Sequence, residues 1–158
     1  MSKISPCLWF ASEAEEAAKF YVSLLPDSKI EHVQKNTVDS PAGKAGSVLV
    51  VEFTLAGQRF LALNGGPEFT FNEAISLSVD CGSQEEVDRL WAALTADGGE
   101  EGPCGWLKDR FGVSWQIVPT RLPELLADPD KAKAQAVMAA MMGMKKLDIK
   151  GLEAAYKG

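Results

Sequence analysis

The amino-acid sequence contains one short pattern twice: a strand-like segment, a helix-capping tetrapeptide, and then apolar residues at helical spacing. The tetrapeptides Ser12–Glu15 and Ser83–Glu86 both have the S-x-x-E form of a capping box. The first follows the apolar segment Ile4–Phe10, and the second follows Ala74–Cys81, where apolar and polar residues alternate. Because a strand followed by a capped amphipathic helix occurs twice, the chain is predicted to fold as two similar strand–helix units.

Three further strand-like segments follow each predicted helix. In the first half they are Lys29–Asn36, Ser47–Leu55 and Gln58–Asn64, and in the second half they are Glu100–Gly102, Trp106–Asp109 and Val113–Val118. Most of them are joined by short turns, with Gly57 and Gly112 at corresponding positions, so they should pair antiparallel. This order predicts an α+β fold of two tandem βαβββ modules rather than alternating strands and helices.

The predicted modules cover about residues 1–68 and 69–120 and together form one domain, and residues 121–158 form a C-terminal helical tail. Asp128-Pro129 suits a helix N-cap with proline at the first helical position, and this helix should continue to about Met142. A second short helix is expected at Asp148–Tyr156. The first tail helix carries an apolar stripe, formed by Ala134, Val137, Met138 and Met141.

Composition and charge exclude several classes of protein. Hydrophobic residues make up 46% of the 158-residue chain and charged residues 24%, which is typical of a globular protein. The net charge is −6 and the basic residues are scattered, so a nucleic-acid partner is not predicted. The longest nearly apolar stretch, residues 136–144, is too short to cross a bilayer, and a membrane partner is not predicted either.

The cysteines and the N-terminus favour a cytoplasmic protein. Cys7, Cys81 and Cys104 include no C-x-x-C pair, so we expect reduced thiols rather than disulfides or a zinc knuckle. The N-terminus has no basic segment followed by an apolar run and a cleavage site.

Three segments resemble signatures of the PhnB-like branch of the vicinal oxygen chelate superfamily: Ala14–Tyr21 (AEEAAKFY), Ala62–Pro67 (ALNGGP) and Cys104–Pro119 (CGWLKDRFGVSWQIVP). That branch often carries the label 3-demethylubiquinone-9 3-methyltransferase. The resemblance implies the glyoxalase/bleomycin resistance/dioxygenase-like fold, in which each half curls around a cavity. It also implies metal ligands on the first and last strands of both halves.

Carried over to this chain, those ligand positions fall near Pro6, Leu61, Ser76 and Gln116. Only Gln116 has any ligand character, and a shift of one residue would add only Cys7. Glu52 and the sole histidine, His32, are the remaining possible ligands. We therefore predict no metal and no other cofactor. A glycine-rich turn for S-adenosylmethionine is also not found after any predicted strand.

A polar floor is the predicted ligand-binding surface. Ser76, Ser78 and Asp80 would face away from the helix if Ile75, Leu77 and Val79 cover it, and Gln116 would join them from the last strand. Trp106 and Phe71 are candidate walls. The alternative is an ordinary solvated sheet face with core aromatics. No catalytic residue is identified, and the charged turn Lys108–Arg110 is expected to be solvated or to form a local ion pair that contributes little to stability.

Three functions follow from these observations. The favoured hypothesis is a protein that binds a small molecule in a metal-free cavity. The alternatives are an enzyme, either a methyltransferase of the 3-demethylubiquinone type or a glyoxalase/dioxygenase-like protein, and a non-catalytic scaffold. A homodimer is also predicted, because the resemblance implies pairing of chains and the tail offers Val137, Met138 and Met141 as an apolar surface.

Overall fold

A four-stranded sheet with one helix forms the first of two units in the computed structural model, which describes residues 2–158. This unit, Met1–Phe71, contains β1 Cys7–Phe10, α1 Ala14–Val22, β2 Lys29–Lys35, β3 Val48–Leu55 and β4 Gln58–Asn64. The strand order is β1-β4-β3-β2, with β1 parallel to β4 and the other pairs antiparallel. The first strand begins at Cys7 rather than at the predicted Ile4, which is exposed.

The second unit, Asn72–Gly158, repeats this arrangement and adds three helices. It contains β5 Ser76–Cys81, α2 Gln84–Thr95, a 3-10 turn at Ala96–Gly98, β6 Glu100–Glu101, β7 Trp106–Lys108, β8 Ser114–Pro119, α3 Arg121–Leu126, α4 Lys131–Met142 and α5 Ile149–Lys157. The strand order is β5-β8-β7-β6, with β5 parallel to β8 and the other pairs antiparallel. The predicted α+β fold of tandem βαβββ modules with C-terminal helices is confirmed.

The two βα helices are capped in different ways. The Ser83 hydroxyl accepts a hydrogen bond from Glu86 N at 3.2 Å, and Glu86 Oε1 accepts from Gly82 N at 3.0 Å, so the predicted capping box of α2 is confirmed. The prediction is wrong for α1, which has no such side-chain cap at its start. There, Ala14 N donates to Asn64 Oδ1 at 2.8 Å, because β4 pairs with β1 and brings Asn64 beside Phe10.

Each βα helix buries one face against its own sheet. The buried residues of α1 are mostly alanines, which allow a close approach to β3 and β4, and they are joined by Tyr21 beside Phe53. In α2 the four residues predicted from helical spacing, Val87, Leu90, Trp91 and Leu94, are buried. Ile75 does not join this core, contrary to expectation: it precedes β5 and its exposed fraction is 62%.

The tail helices form a small core of their own. The fully or nearly buried members are Leu122, Leu125, Val137, Leu147 and Leu152. Helix α3 was not predicted, and the N-cap of α4 is Asp130 rather than Asp128. The Asp130 carboxylate accepts from Ala132 N and Lys133 N, whereas Asp128 accepts a hydrogen bond from Tyr156 Oη. No helix among residues 2–158 is long and apolar enough to span a membrane.

Backbone hydrogen bonds attach the tail to the loop that precedes β7. Cys104 N donates to Met144 O and Gly105 N donates to Lys145 O, both at 2.8 Å. Gly105 has a φ of +84°, and an added Cβ would lie 2.9 Å from Leu147 Cδ1, so this contact requires glycine. The Gln84 amide makes a second attachment through Leu147 O and Ile149 N.

Asn64→Ala should lower the free energy of unfolding by about 1–2 kcal/mol, because it removes the side-chain cap of α1. Ser12→Ala is the matched control and should change it by less than about 0.5 kcal/mol, since exposed Ser12 does not cap the helix. Urea denaturation followed by circular dichroism measures both variants. An equal loss in the two variants would contradict the assignment of the cap to Asn64.

Candidate functional site

Two rows of side chains share one face of the second sheet. Strand register places Ser76, Ser114 and Lys108 side by side in one row, because Ser76 pairs with Ser114 and Ser114 pairs with Lys108. The neighbouring row contains Ser78, Gln116 and Trp106. Paired residues of adjacent strands point to the same side of a sheet, so all six side chains lie on one face. Trp115 and Ile117, which alternate with Ser114 and Gln116, are buried on the face that contacts α2.

A cavity of about 410 Å³ lies along β6, β7 and the start of β8. Its lining combines apolar groups with several charged side chains, and consists of Glu73, Glu100, Glu101, Gly102, Pro103, Trp106, Leu107, Lys108 and Ser114. Pockets that hold small molecules in proteins commonly measure about 300–1,000 Å³. The cavity is therefore large enough for a small organic compound.

Ser114 is the buried polar residue of this cavity. Its exposed fraction is 1%, and its hydroxyl makes no hydrogen bond with any other residue in the range 2–158. Most buried polar groups in proteins are hydrogen-bonded, and leaving one unpaired lowers stability. A polar group of a ligand in the cavity would satisfy this hydroxyl.

Lys108 and Glu73 form an ion pair at the edge of the cavity. The hydrogen bond between them lowers the pKa of the Glu73 carboxyl and raises the pKa of the Lys108 ammonium. The charge of Glu100 also raises the pKa of Lys108. Both partners are therefore charged at neutral pH, and Lys108 lies opposite Ser114 in the strand register.

The neighbouring Asp109 organises the turn between β7 and β8. Its exposed fraction is 2%, and its carboxylate accepts hydrogen bonds from Phe111 N, Val113 N and the Trp115 indole at 2.8–3.1 Å. Of the two alternatives predicted for the turn Lys108–Arg110, solvation is wrong for Asp109, because this residue is buried. Asp109 acts by positioning the two strands of the site.

The predicted floor residues are partly brought together. Gln116 Nε2 donates to Ser76 Oγ at 3.0 Å, and the half-buried Trp106 lies opposite Gln116 in the strand register. Ser78 is next to Gln116 but exposed.

The other two predicted residues lie outside this cluster. Asp80 is exposed and pairs with Val118 near the end of β5. Phe71 belongs to the first unit, where its ring contacts that of Phe10 with the centroids 5.2 Å apart.

Sequence reasoning missed Ser114, Lys108 and Glu73 as lining residues. The signal for Ser114 was available, because it is two residues before Gln116 and therefore on the same face of the strand. Lys108 could be found only through its pairing with Ser114. Glu73 lies in a loop, where strand parity gives no information.

The positions carried over as metal ligands offer a poor donor set. Leu61 pairs with Cys7, its amide donates to Pro6 O, and neither Leu61 nor Pro6 has a ligating side chain. Ser76 and Gln116 are neutral and bonded to each other.

The other possible ligands do not complete a metal site. His32 lies opposite Glu52, whose carboxylate accepts from Arg59 Nε at 2.8 Å. Within residues 2–158, no three acidic, histidine or cysteine side chains are grouped as metal ligands. A catalytic divalent metal usually takes about three protein ligands, so the residues do not fit one.

The two four-stranded sheets, each with a parallel edge pair and one βα helix, have the glyoxalase/bleomycin resistance-like fold. A sequence profile described as 3-demethylubiquinone-9 3-methyltransferase matches residues 2–118. The chain belongs to this PhnB-like family, and the predicted resemblance is confirmed. Helices α3, α4 and α5 lie beyond the matched residues.

Solved structures agree with this assignment. A PhnB protein from Bacillus cereus, which bears the same methyltransferase description, is 36% identical, with 75% of this chain and 100% of that chain covered and a TM-score of 0.67. A protein from Pseudomonas aeruginosa is 23% identical, with 75% and 98% covered and a TM-score of 0.61. The fosfomycin resistance protein FosX from Listeria monocytogenes is 14% identical, with 78% and 97% covered and a TM-score of 0.52, and these last two show similarity of fold only. Among curated proteins there is no significant match.

Protein incubated with zinc, nickel or manganese and then desalted should retain well below one equivalent of metal, because the candidate ligand positions lack charged donors. Elemental analysis measures the retained metal. Gln116→Ala is the matched variant and should leave this low value unchanged. One equivalent of metal that is lost in Gln116→Ala would contradict the prediction and indicate glyoxalase-like or dioxygenase-like chemistry.

Proposed function

We propose that this protein binds a small molecule in the cavity of its second unit, without a metal. The observation that carries the proposal is the buried, unpaired hydroxyl of Ser114 inside a cavity of about 410 Å³. Such a group is stabilised when a ligand supplies its missing hydrogen bond. Trp106 provides an aromatic wall of this cavity. The bonded pair Gln116 and Ser76, with Ser78 beside it, lies on the same face of the sheet, next to the cavity lining.

The family description names methyl transfer, which is the alternative function. The cavity lining supports binding without indicating a methyl donor, because the polar side-chain groups on its side of the sheet are the Ser114 hydroxyl, the Lys108 ammonium, the Trp106 indole and the carboxylates of Glu73 and Glu100. Titration with S-adenosylmethionine discriminates the two functions. Saturable binding of this compound in the cavity would favour the methyltransferase.

The proposed binding is tested by ligand-observed NMR with a library of small uncharged aromatic compounds. Compounds that bind should compete with one another, because they share one cavity. Trp106→Ala should weaken their binding by about tenfold or more, since buried aromatic contacts dominate such sites.

The control for this experiment is Trp9→Ala, which removes an aromatic side chain from the first unit. It should leave binding unchanged, provided that melting curves show both variants to be folded. Absence of any binding compound, or equal losses in both variants, would contradict the proposed function.

We also propose that the chain is a cytoplasmic homodimer. All three cysteines are free thiols, which fits a reducing compartment. Of the apolar surface predicted for pairing, Val137 is used inside the tail core, whereas Met138 is 43% exposed. Met142 is 66% exposed and lies one helical turn further along α4, so the two methionines are the proposed contact.

Light scattering should give about twice the chain mass of 17.0 kDa. Met142→Glu should shift the equilibrium toward the monomer, because it places a charge on the apolar contact. Lys145→Glu, which changes an exposed residue outside α4, is the control and should leave the mass unchanged. A wild-type monomer at every concentration would contradict the dimer.

A further inference from the structure

We propose that the ligand of this cavity is an uncharged compound with an apolar body and a carbonyl oxygen, which accepts hydrogen bonds from Ser114 and Lys108. This inference rests on the proposed function, and it names the chemical class of the ligand. It follows from the placement of two donors, the charge of the lining and the apolar surface beside them.

The two donors are neighbours. Ser114 and Lys108 are register partners on antiparallel strands, and both line the cavity. Side chains in such pairs have Cβ atoms about 4.5–5.5 Å apart, so one oxygen atom can lie within reach of both. The Ser114 hydroxyl is buried and has no partner among residues 2–158, so a polar ligand atom at this point would supply its missing hydrogen bond.

The ligand atom beside Ser114 should be a hydrogen-bond acceptor, because the neighbouring Lys108 ammonium can only donate. An ammonium group carries three donors and no acceptor, and Glu73 takes one of these donors. The other two N–H donors of Lys108 favour a ligand oxygen beside Ser114 that accepts a hydrogen bond. A carbonyl oxygen has two lone pairs and can accept from both groups.

The charge of the lining selects an uncharged ligand. The carboxylates of Glu73 and Glu100 lie on the cavity side with the single ammonium of Lys108, the register partner of Glu100. The third acidic lining residue, Glu101, turns its carboxylate away and accepts a hydrogen bond from Trp91 Nε1 of α2 at 3.0 Å. Like charges repel, so a carboxylate ligand would bind less tightly than a ketone of the same shape. A carboxylate beside Lys108 would also lie close to the Glu73 carboxylate, whereas a neutral carbonyl meets no such repulsion.

The remaining lining is suited to an apolar body. Trp106 and Pro103 contribute an aromatic ring and aliphatic groups beside the two donors. An apolar body buried against them is favoured by removal from water, and a flat body can stack on the indole.

Three probes of closely similar shape test the inference: the ketone 2-acetylnaphthalene, the hydrocarbon 2-isopropenylnaphthalene and the acid 2-naphthoate. Isothermal titration or competition NMR gives their affinities for the full-length protein. The ketone should bind roughly 3- to 10-fold more tightly than the hydrocarbon, which is the range expected for a hydrogen bond. It should also bind more tightly than the acid.

Two variants assign these differences to residues. Ser114→Ala should remove most of the preference for the ketone over the hydrocarbon, whereas Ser12→Ala, which removes an exposed hydroxyl of the first unit, should keep it. Glu73→Gln should raise the affinity for naphthoate relative to the ketone, because it removes a negative charge and releases Lys108. The carbonyl stretching frequency of the bound ketone should shift to lower values in the wild type and return toward its free value in Ser114→Ala.

The outcomes separate this inference from the proposed function. Equal binding of ketone and hydrocarbon in both the wild type and Ser114→Ala would overturn the inference and leave small-molecule binding intact. Tighter binding of naphthoate than of the ketone by the wild type would overturn it as well. Failure of all three probes to bind would overturn the inference, and the absence of any binding compound in the wider library would overturn the proposed function.

Discussion

The buried carboxylate of Asp109 fixes the hairpin on which the candidate site depends. It accepts hydrogen bonds from two amides of the following turn and from the indole of Trp115. A carboxylate buried without such partners would be strongly unfavourable, so these bonds and the turn stabilise each other. The turn sets the register of β7 and β8, and that register places Lys108 opposite Ser114 and Trp106 opposite Gln116.

Local sequence signals predicted the order of the elements, and long-range contacts limited the detail. Ser83 and Glu86 are close in sequence to the helix that they cap, so the start of α2 could be predicted. The cap of α1 comes from Asn64, 50 residues away from Ala14, and no local pattern indicates it. The same limit explains Asp128, which matched a capping pattern but instead accepts a hydrogen bond from Tyr156.

The candidate site was likewise predicted in part from local pattern, and the rest of it depends on long-range contacts. Alternation along the strands predicted that Gln116 and Ser76 share a face, and they are hydrogen-bonded to each other. Alternation could not show where the cavity lies along that face, because its walls come from the loop at Gly102 and Pro103 and from Glu73. Burial of Ser114 depends on these surroundings, so a small neutral serine gave no distinctive signal of its own.

The loop before β7 both holds the C-terminal tail and forms part of the cavity wall. Amides of Cys104 and Gly105 donate to carbonyls that follow α4, while Pro103 and Trp106 on either side of them line the cavity. Amide hydrogens in such bonds exchange with solvent only when the bonds open, so these two protons report how often the tail detaches. Because these bonds connect the tail to one wall of the cavity, changes in the tail sequence can alter the rigidity of that wall while the strands of the sheet stay the same.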